Sequence, residues 1–168
     1  GKFLQTYNIY SLIKLYCSCF LNYCSFVADM QRIPGLFFAP SKLVGRGVFT
    51  AEDIVKGTTF EIAPIIEIPE SEVDVIHHTE LHDYYFVWGE QDEKAAIALG
   101  YGSLYNHSYS PNANYIFDLD AQTIEFFALK KIKAGEEITI NYHGDPDVKD
   151  ELWFDKTGQR IKRIKAKL

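Results

Sequence analysis

From Pro34 to Tyr142 the chain is a succession of short β-type runs, and this punctuation constrains its fold more than any other feature. "LFFA" and "RGVFT" lead into "TTFEIAPIIEIP", then comes a more polar and helical stretch to about residue 100, then "NYIFDLD", "TIEFFAL" and "EITINY". Each run has the length of a single strand and is bounded by glycine, proline or a polar turn. That spacing argues for small twisted sheets in a mostly β domain and against a parallel α/β fold. A weak repeat marks two of the strand starts: "AEDIVKGTTFEI" and "LKKIKAGEEITI" both run Ile-x-x-Gly into an alternating strand, at Ile54–Gly57 and Ile132–Gly135. Glycine adopts positive φ without steric cost, so each repeat reads as a chain reversal before a strand, a structural role.

A length of 168 residues at 47% hydrophobic suffices for one packed domain with short additions, not for two of ordinary size. We divide it into an N-terminal extension over residues 1–33, a main domain over 34–145 and a C-terminal piece over 146–168. In the extension, Ile9, Leu12, Ile13, Tyr16 and Phe20 share one face at helical spacing, which predicts an amphipathic helix. Lys14, Asn22 and the lack of a small-residue cleavage site argue against a signal or membrane segment, and a leader without function of its own is the remaining alternative. Met30 is the only methionine, so residues 1–29 read as an extension upstream of a natural start. Cys17, Cys19 and Cys24 all fall there, leaving residues 25–168 without a thiol to build a zinc cluster or disulfide, and an intracellular, reducing setting is expected.

The formal charge of −6 conceals an asymmetry. Residues 156–168 hold six of the seventeen cations and no acid, so residues 1–155 set eleven cations against twenty-three acids, about −12. Such a body repels nucleic acid and attracts Lys- and Arg-rich partners, although from charge alone ordinary solubility is the simpler reading. Ile161, Ile164 and Leu168 give the basic tail a short amphipathic face; it is either a solvated tail or a segment that folds back, meets nucleosomal phosphates or is itself modified.

Three segments are candidates for chemistry. Gly45, Arg46 and Gly47 form a "GRG" turn, either a plain hairpin or a close backbone approach to a ligand. "NHSYSPN", residues 106–112, combines directional donors and acceptors with Pro111, which stops any regular element, and reads as a fixed polar loop. "GEEITINYHG", residues 135–144, ends a strand on Tyr142. His77, His78 and His82 in "HHTELH" include a pair at i, i+4, the spacing of a zinc grip, but no distant ligand completes it and no metal is expected.

The order G-x-G, N-H-S-x-x-P-N, G-E-E-(I/L)-T-x-x-Y resembles that of the SET-domain protein lysine methyltransferases, over about residues 36–145. "DYYFVWGEQDEKAAIALGYGSLYNHS" is similar to the central segment of the minimal SET proteins of large viruses. The resemblance implies a β-clip fold of small curved sheets around a pseudoknot-like core, formed where the C-terminal segment passes beneath the loop at 106–112. It implies S-adenosylmethionine as methyl donor and a lysine in a basic protein, such as a histone tail, as acceptor, with no direct nucleic-acid substrate and no membrane. A homodimer is implied by the viral proteins, and a cytoplasmic or nuclear location by the substrate.

Residue by residue, the resemblance places Gly45, Arg46, Gly47, Asn106 and His107 against the cofactor, with Lys42 nearby, and makes Tyr142 catalytic. Tyr84, Tyr115 and Tyr105 are expected around the lysine. No cysteine-rich segment closes the channel here, so Trp153 and Phe154 of "ELWFD" are expected as an aromatic lid, or else as a cap on the core. Ile140, two residues before Tyr142, stands where relatives carry an aromatic residue that influences the number of methyl groups, so the methylation state stays open. A lysine ammonium, with a pKa near ~10.4, has no lone pair until it loses a proton. An aromatic channel and a neighbouring sulfonium both favour the neutral amine. The alternative is a catalytically silent module of the same fold that binds basic peptides.

Overall fold

The computed structural model describes residues 32–157, all within one compact unit. The predicted N-terminal helix, the three cysteines and the tail beyond Thr157 lie outside the described residues. Among the described residues there are nine strands: β1 (Leu36–Pro40), β2 (Arg46–Thr50), β3 (Thr59–Ile68), β4 (Tyr85–Trp88), β5 (Lys94–Ala98), β6 (Asn106–His107), β7 (Ala113–Asp118), β8 (Thr123–Ala128) and β9 (Glu137–Ile140). Two short helices, α1 (Glu70–His77) and α2 (Trp153–Thr157), and two 3-10 turns, at Glu80–Asp83 and Gly102–Leu104, complete them. The strands form a four-stranded sheet, β1-β2-β9-β6, and a five-stranded one, β4-β5-β3-β8-β7, so the fold is mostly β with small sheets.

The stretch from 70 to 100, read as helical from its sequence, holds only eight residues of α-helix and then a hairpin. α1 starts after Pro69, carries Glu70 and Glu72 in its first turn where the helix dipole favours acids, and buries none of its residues. Without a buried face it ends early. β4 is aromatic and apolar, and β5, "KAAIA", is rich in a helix former yet pairs with β4 on one side and β3 on the other. Ala95 and Ala96 are fully buried there, so tertiary pairing overrides helix propensity.

The two Ile-x-x-Gly repeats pair with each other. Ile54 and Ile132 exchange both backbone hydrogen bonds, at 2.8 and 2.9 Å, and both side chains are buried. Gly57 and Gly135 take φ of +82° and +80° with open space where a Cβ would sit, so backbone conformation and not crowding demands glycine. They reverse the chain into β3 and β9.

β9 positions the site. It lies between antiparallel β2 and parallel β6, bringing residues 137–140 beside the 106–112 loop. Buried Asn112 fastens the two: its amide donates to Glu136 Oε1 (3.0 Å) and to the carbonyl of Glu137 (2.8 Å), and its Oδ1 accepts from Thr139 N–H (2.8 Å). Ser108 N–H adds a bond to the carbonyl of Ile140 at 2.9 Å. Beyond β9 the chain returns to the same loop, where Leu152 N–H meets the Tyr109 hydroxyl at 3.2 Å. In β3 a bulge between Thr59 and Glu61 places consecutive Phe60 and Glu61 both inside, at 0% and 2% exposure.

Candidate active site

A cleft of about 260 Å³ opens where the β1–β2 turn, the 106–109 segment, the end of β9 and α2 converge. It is near the lower end of small-molecule sites, ~300–1,000 Å³. Leu43, Val44, Asn106, His107, Tyr142, Trp153 and Phe154 are among the residues lining it, joined by the carboxylates of Asp83 and Asp155.

The "GRG" segment closes a hairpin and enters β2. Ser41 N–H donates to the carbonyl of Gly45 (3.0 Å), closing the hairpin between β1 and β2, and Gly45 takes φ +50°. The turn then presents Leu43 and Val44 to the cleft, while Lys42, Gly45 and Arg46 are exposed beside it and do not line it. Gly47 is buried, and a Cβ there would lie 2.0 Å from Glu137 Oε1 and 2.9 Å from Asn106 Nδ2. The glycine makes room for a bridge: Glu137 accepts from Asn106 Nδ2 at 2.7 Å and from Ser41 Oγ at 2.8 Å. Asn106 also donates to the carbonyls of Arg46 (3.0 Å) and Val44 (3.3 Å). The side-chain amide of Asn106 thus ties the hairpin to the loop.

His107 carries one of the two buried side-chain polar atoms without a hydrogen-bond partner among the described residues, the other being Asn114 Oδ1. Its Nδ1 accepts from Tyr142 N–H at 3.2 Å, which leaves the proton on Nε2, and Nε2 is buried without a partner. Burial, then the charges of His143 and Lys149, push its pKa down to about 4, against the opposing influence of Asp155. The ring is a neutral donor packed among Tyr109, Tyr142 and Phe154, with centroids 4.4, 5.2 and 5.9 Å away.

Tyr142 joins the two halves of the site. Its outer edge is open, 39% of the residue's surface, while its hydroxyl turns inward and donates to the backbone carbonyl of Tyr105 at 3.0 Å. Burial of that end, followed by the Asp83 carboxylate and the phenols of Tyr84 and Tyr115, holds its pKa far above the ordinary value. It stays a phenol at neutral pH. Tyr115 is buried, with its pKa raised to about 12 by burial, and packs edge-on to Phe86 at 5.2 Å and tilted against Phe117 at 5.4 Å. Tyr84 is 36% exposed, and neither it nor Tyr115 lines the cleft, although both lie close enough to influence the Tyr142 phenol.

Tyr105 departs from expectation. Its ring, 2% exposed, points into the core against Phe60 and Phe126, and its hydroxyl donates to Glu61. The 3-10 turn at Gly102–Leu104 sets this orientation, so only the carbonyl of Tyr105 reaches the site. The histidines form no metal grip: His77 Nδ1 pairs with the Tyr85 hydroxyl (2.9 Å) and His82 Nδ1 with Asp83 (3.1 Å). Among the described residues no group of three His, Cys, Asp or Glu could hold a metal, and no helix is long and apolar enough to cross a membrane.

Sequence reasoning missed the fastening of α2. The Tyr109 hydroxyl donates to Asp155 at 2.5 Å and accepts from Leu152 N–H, while Lys149 Nζ donates to the carbonyl of Tyr109. This holds Trp153 and Phe154 on the cleft wall, with Trp153 4.7 Å from the His82 ring. Asp83 was also missed, for nothing in "HHTELHD" marks which acid faces inward.

The SET domain family model matches residues 45–143. A histone-lysine N-methyltransferase of Schizosaccharomyces pombe, specific for lysine 37 of H3, is 36% identical over 121 residues, 71% of this chain and 77% of that protein. Among solved structures, a Plasmodium falciparum protein taken to be a histone methyltransferase superposes with a TM-score of 0.55 at 32% identity, covering 67% of this chain and 95% of that one. The ctPRC2 complex, in an autoinhibited conformation bound to S-adenosylmethionine, gives 0.56 at 28% identity over 64% of this chain and 15% of that one.

Proposed function

This chain belongs to the SET-domain family and is a protein-lysine methyltransferase, and from that premise we propose that it binds S-adenosylmethionine in the cleft and methylates a lysine of a histone tail. The observation that carries the reading is the bond from the Tyr142 hydroxyl to the Tyr105 carbonyl at the end of that cleft. The chemistry of the residues fits the cofactor. Aromatic rings suit a purine, the unpartnered Nε2–H of His107 is a spare donor, and Asp83 and Asp155 complement a group with two positive centres. When bound, the cofactor supplies an electrophilic methyl group on a sulfonium.

The protein's own residues supply position and electrostatics. Tyr142 keeps its proton, so it orients groups by hydrogen bonding and is not the base. The Tyr105 carbonyl and the Tyr142 oxygen offer two acceptors for a polarised methyl or an amine. Apolar walls from Tyr84 and Tyr115 lower the pKa of an entering ammonium by withholding water, and aligned approach at ~3–3.5 Å accounts for most of the acceleration. The acidic body attracts a basic tail. A histone substrate implies a nuclear setting, which is part of the proposal.

Transfer of labelled methyl to histones, wild type beside Tyr142→Phe, tests the reading. We expect lysine label with the wild type and a loss of at least a hundredfold in kcat for the variant, about 2.7 kcal/mol of transition-state stabilisation, with cofactor affinity kept. Tight cofactor binding without transfer to any histone, and equal peptide binding by both proteins, would instead favour a silent peptide-binding module.

A further inference from the structure

Glu61 is the one strongly buried carboxylate among the described residues with no part in the chemistry above. Strand alternation would send it to solvent opposite Phe60, but the β3 bulge turns both inward. Bulges re-aim side chains in this way next to active sites. Burial raises the Glu61 pKa, against the hydrogen bonds from Tyr101 and Tyr105 and the charge of Arg32, so the group sits there at a cost. Arg32 offsets it weakly, for its guanidinium lies 3.7 Å away with 42% of its side chain exposed.

What the carboxylate touches explains its place. Oε1 accepts from Tyr101 N–H at 2.9 Å and Oε2 from the Tyr105 hydroxyl at 2.5 Å, so Glu61 grips both ends of the turn over residues 101–105. Gly100, at φ +68°, packs so closely that a Cβ would fall 2.5 Å from Oε1. The far end of that turn is the Tyr105 carbonyl, which receives the Tyr142 hydroxyl. Two hydrogen bonds and one residue therefore separate Glu61 from the catalytic phenol.

Resting on the proposed methyl transfer, we infer that Glu61 is a positioning residue: through Tyr105 it fixes the carbonyl that aligns Tyr142 with the reacting groups. Displacement chemistry is sensitive to misplacement on the scale of an ångström, so loosening this grip slows the chemical step while leaving the cofactor cleft, built from other contacts, intact.

The test compares Glu61→Gln and Tyr105→Phe, each alone and combined with Tyr142→Phe, with Glu67→Gln as a control. Glu67 lies on the same strand and pairs with Lys94 at 2.9 Å, away from the site. Gln keeps the shape of Glu61 but replaces one charged acceptor by an amide, and Phe removes only a hydroxyl. We expect each single variant to lower kcat about tenfold with the KM for peptide and the cofactor Kd within about twofold, and the control to match wild type. In the Tyr142→Phe background the further loss should fall below about twofold, because the path from Glu61 ends at that hydroxyl. Amide exchange across residues 101–107, measured without cofactor, should quicken in Glu61→Gln. An unchanged kcat in both single variants, or an equal loss with and without the Tyr142 hydroxyl, overturns the inference. A wild type that transfers no methyl fails the proposed function instead, and the exchange result still decides whether Glu61 holds the turn.

Discussion

Replacing Gly47 by Ala tests how the cleft is held together. The φ of Gly47 is not in the positive region, so alanine meets no backbone penalty and gains ~0.4–1 kcal/mol from a stiffer unfolded chain. The cost is steric: the new Cβ would sit 2.0 Å from Glu137 Oε1 and 2.7 Å from its Cδ, and Glu137 must leave. Its departure breaks the bonds from Ser41 and Asn106, each worth ~1.5–3 kcal/mol to a charged acceptor. Water recovers part of this, because Glu137 is only half-buried, and the Asn106 amide, which must itself shift from a Cβ at 2.9 Å, still has the carbonyls of Arg46 and Val44 within reach. The net expectation is about 2–4 kcal/mol, a fall in Tm of roughly 6–15 °C for a domain of this size. Urea unfolding measures it, and calorimetric titration with S-adenosylmethionine should show weaker binding as the hairpin loosens from the loop. The decisive comparison adds Glu137→Ala. With the carboxylate gone, Gly47→Ala should cost under about 1 kcal/mol more, since only the Asn106 amide must shift. An equal cost in both backgrounds refutes the steric account.

Two further outcomes follow from the geometry. Tyr109→Phe releases α2 from the loop, so cofactor should dissociate faster and bind roughly threefold more weakly with kcat at saturation unchanged, read by Trp153 fluorescence in a Trp88→Phe background; an unaltered off-rate refutes the fastening. For His107, a folded pKa of about 4 below the ordinary 6.5 means the unfolded chain takes up the proton first. Stability is therefore full above pH 6.5, falls as the pH drops toward 4 and levels off below. Glu61 acts oppositely, its raised value making its contribution fullest at low pH and lost as pH rises through that value. Urea midpoints from pH 7 to 4 should slope less in His107→Gln than in wild type, and an identical slope would exclude His107 as the source.

Much of the fold is written in the sequence because alternation survives into the strands. β8, "TIEFFA", alternates outside and inside along its whole length, and the Ile-x-x-Gly repeats mark reversals whose glycines do take positive φ. The failures have physical causes. The alanines of β5 carry no β signal, and only neighbours on both sides make them a strand. Glu61 is invisible as a buried residue because a one-residue bulge shifts the phase on which alternation depends. Motif order locates Tyr105 beside the site, but the direction of its ring depends on a 3-10 turn that no spacing announces. Tyr109 and Asp155 are 46 residues apart, and no local pattern pairs them.

These failures converge on one arrangement. Several motif residues line the cleft or bound it, whereas others, most of them inside the same motifs but given no role by sequence reasoning, hold those segments in place: Glu137 under the hairpin, Asn112 between loop and strand, Glu61 beneath the turn, Tyr109 against α2. Their bonds join segments far apart in the chain, because the site itself is assembled from four such segments. Methyl transfer by in-line displacement asks little of acid–base chemistry and much of alignment. A phenol that keeps its proton, aimed by one carbonyl, meets that demand only if the carbonyl does not move. The polar bonds buried beneath the site are therefore as much a part of the proposed catalytic apparatus as Tyr142.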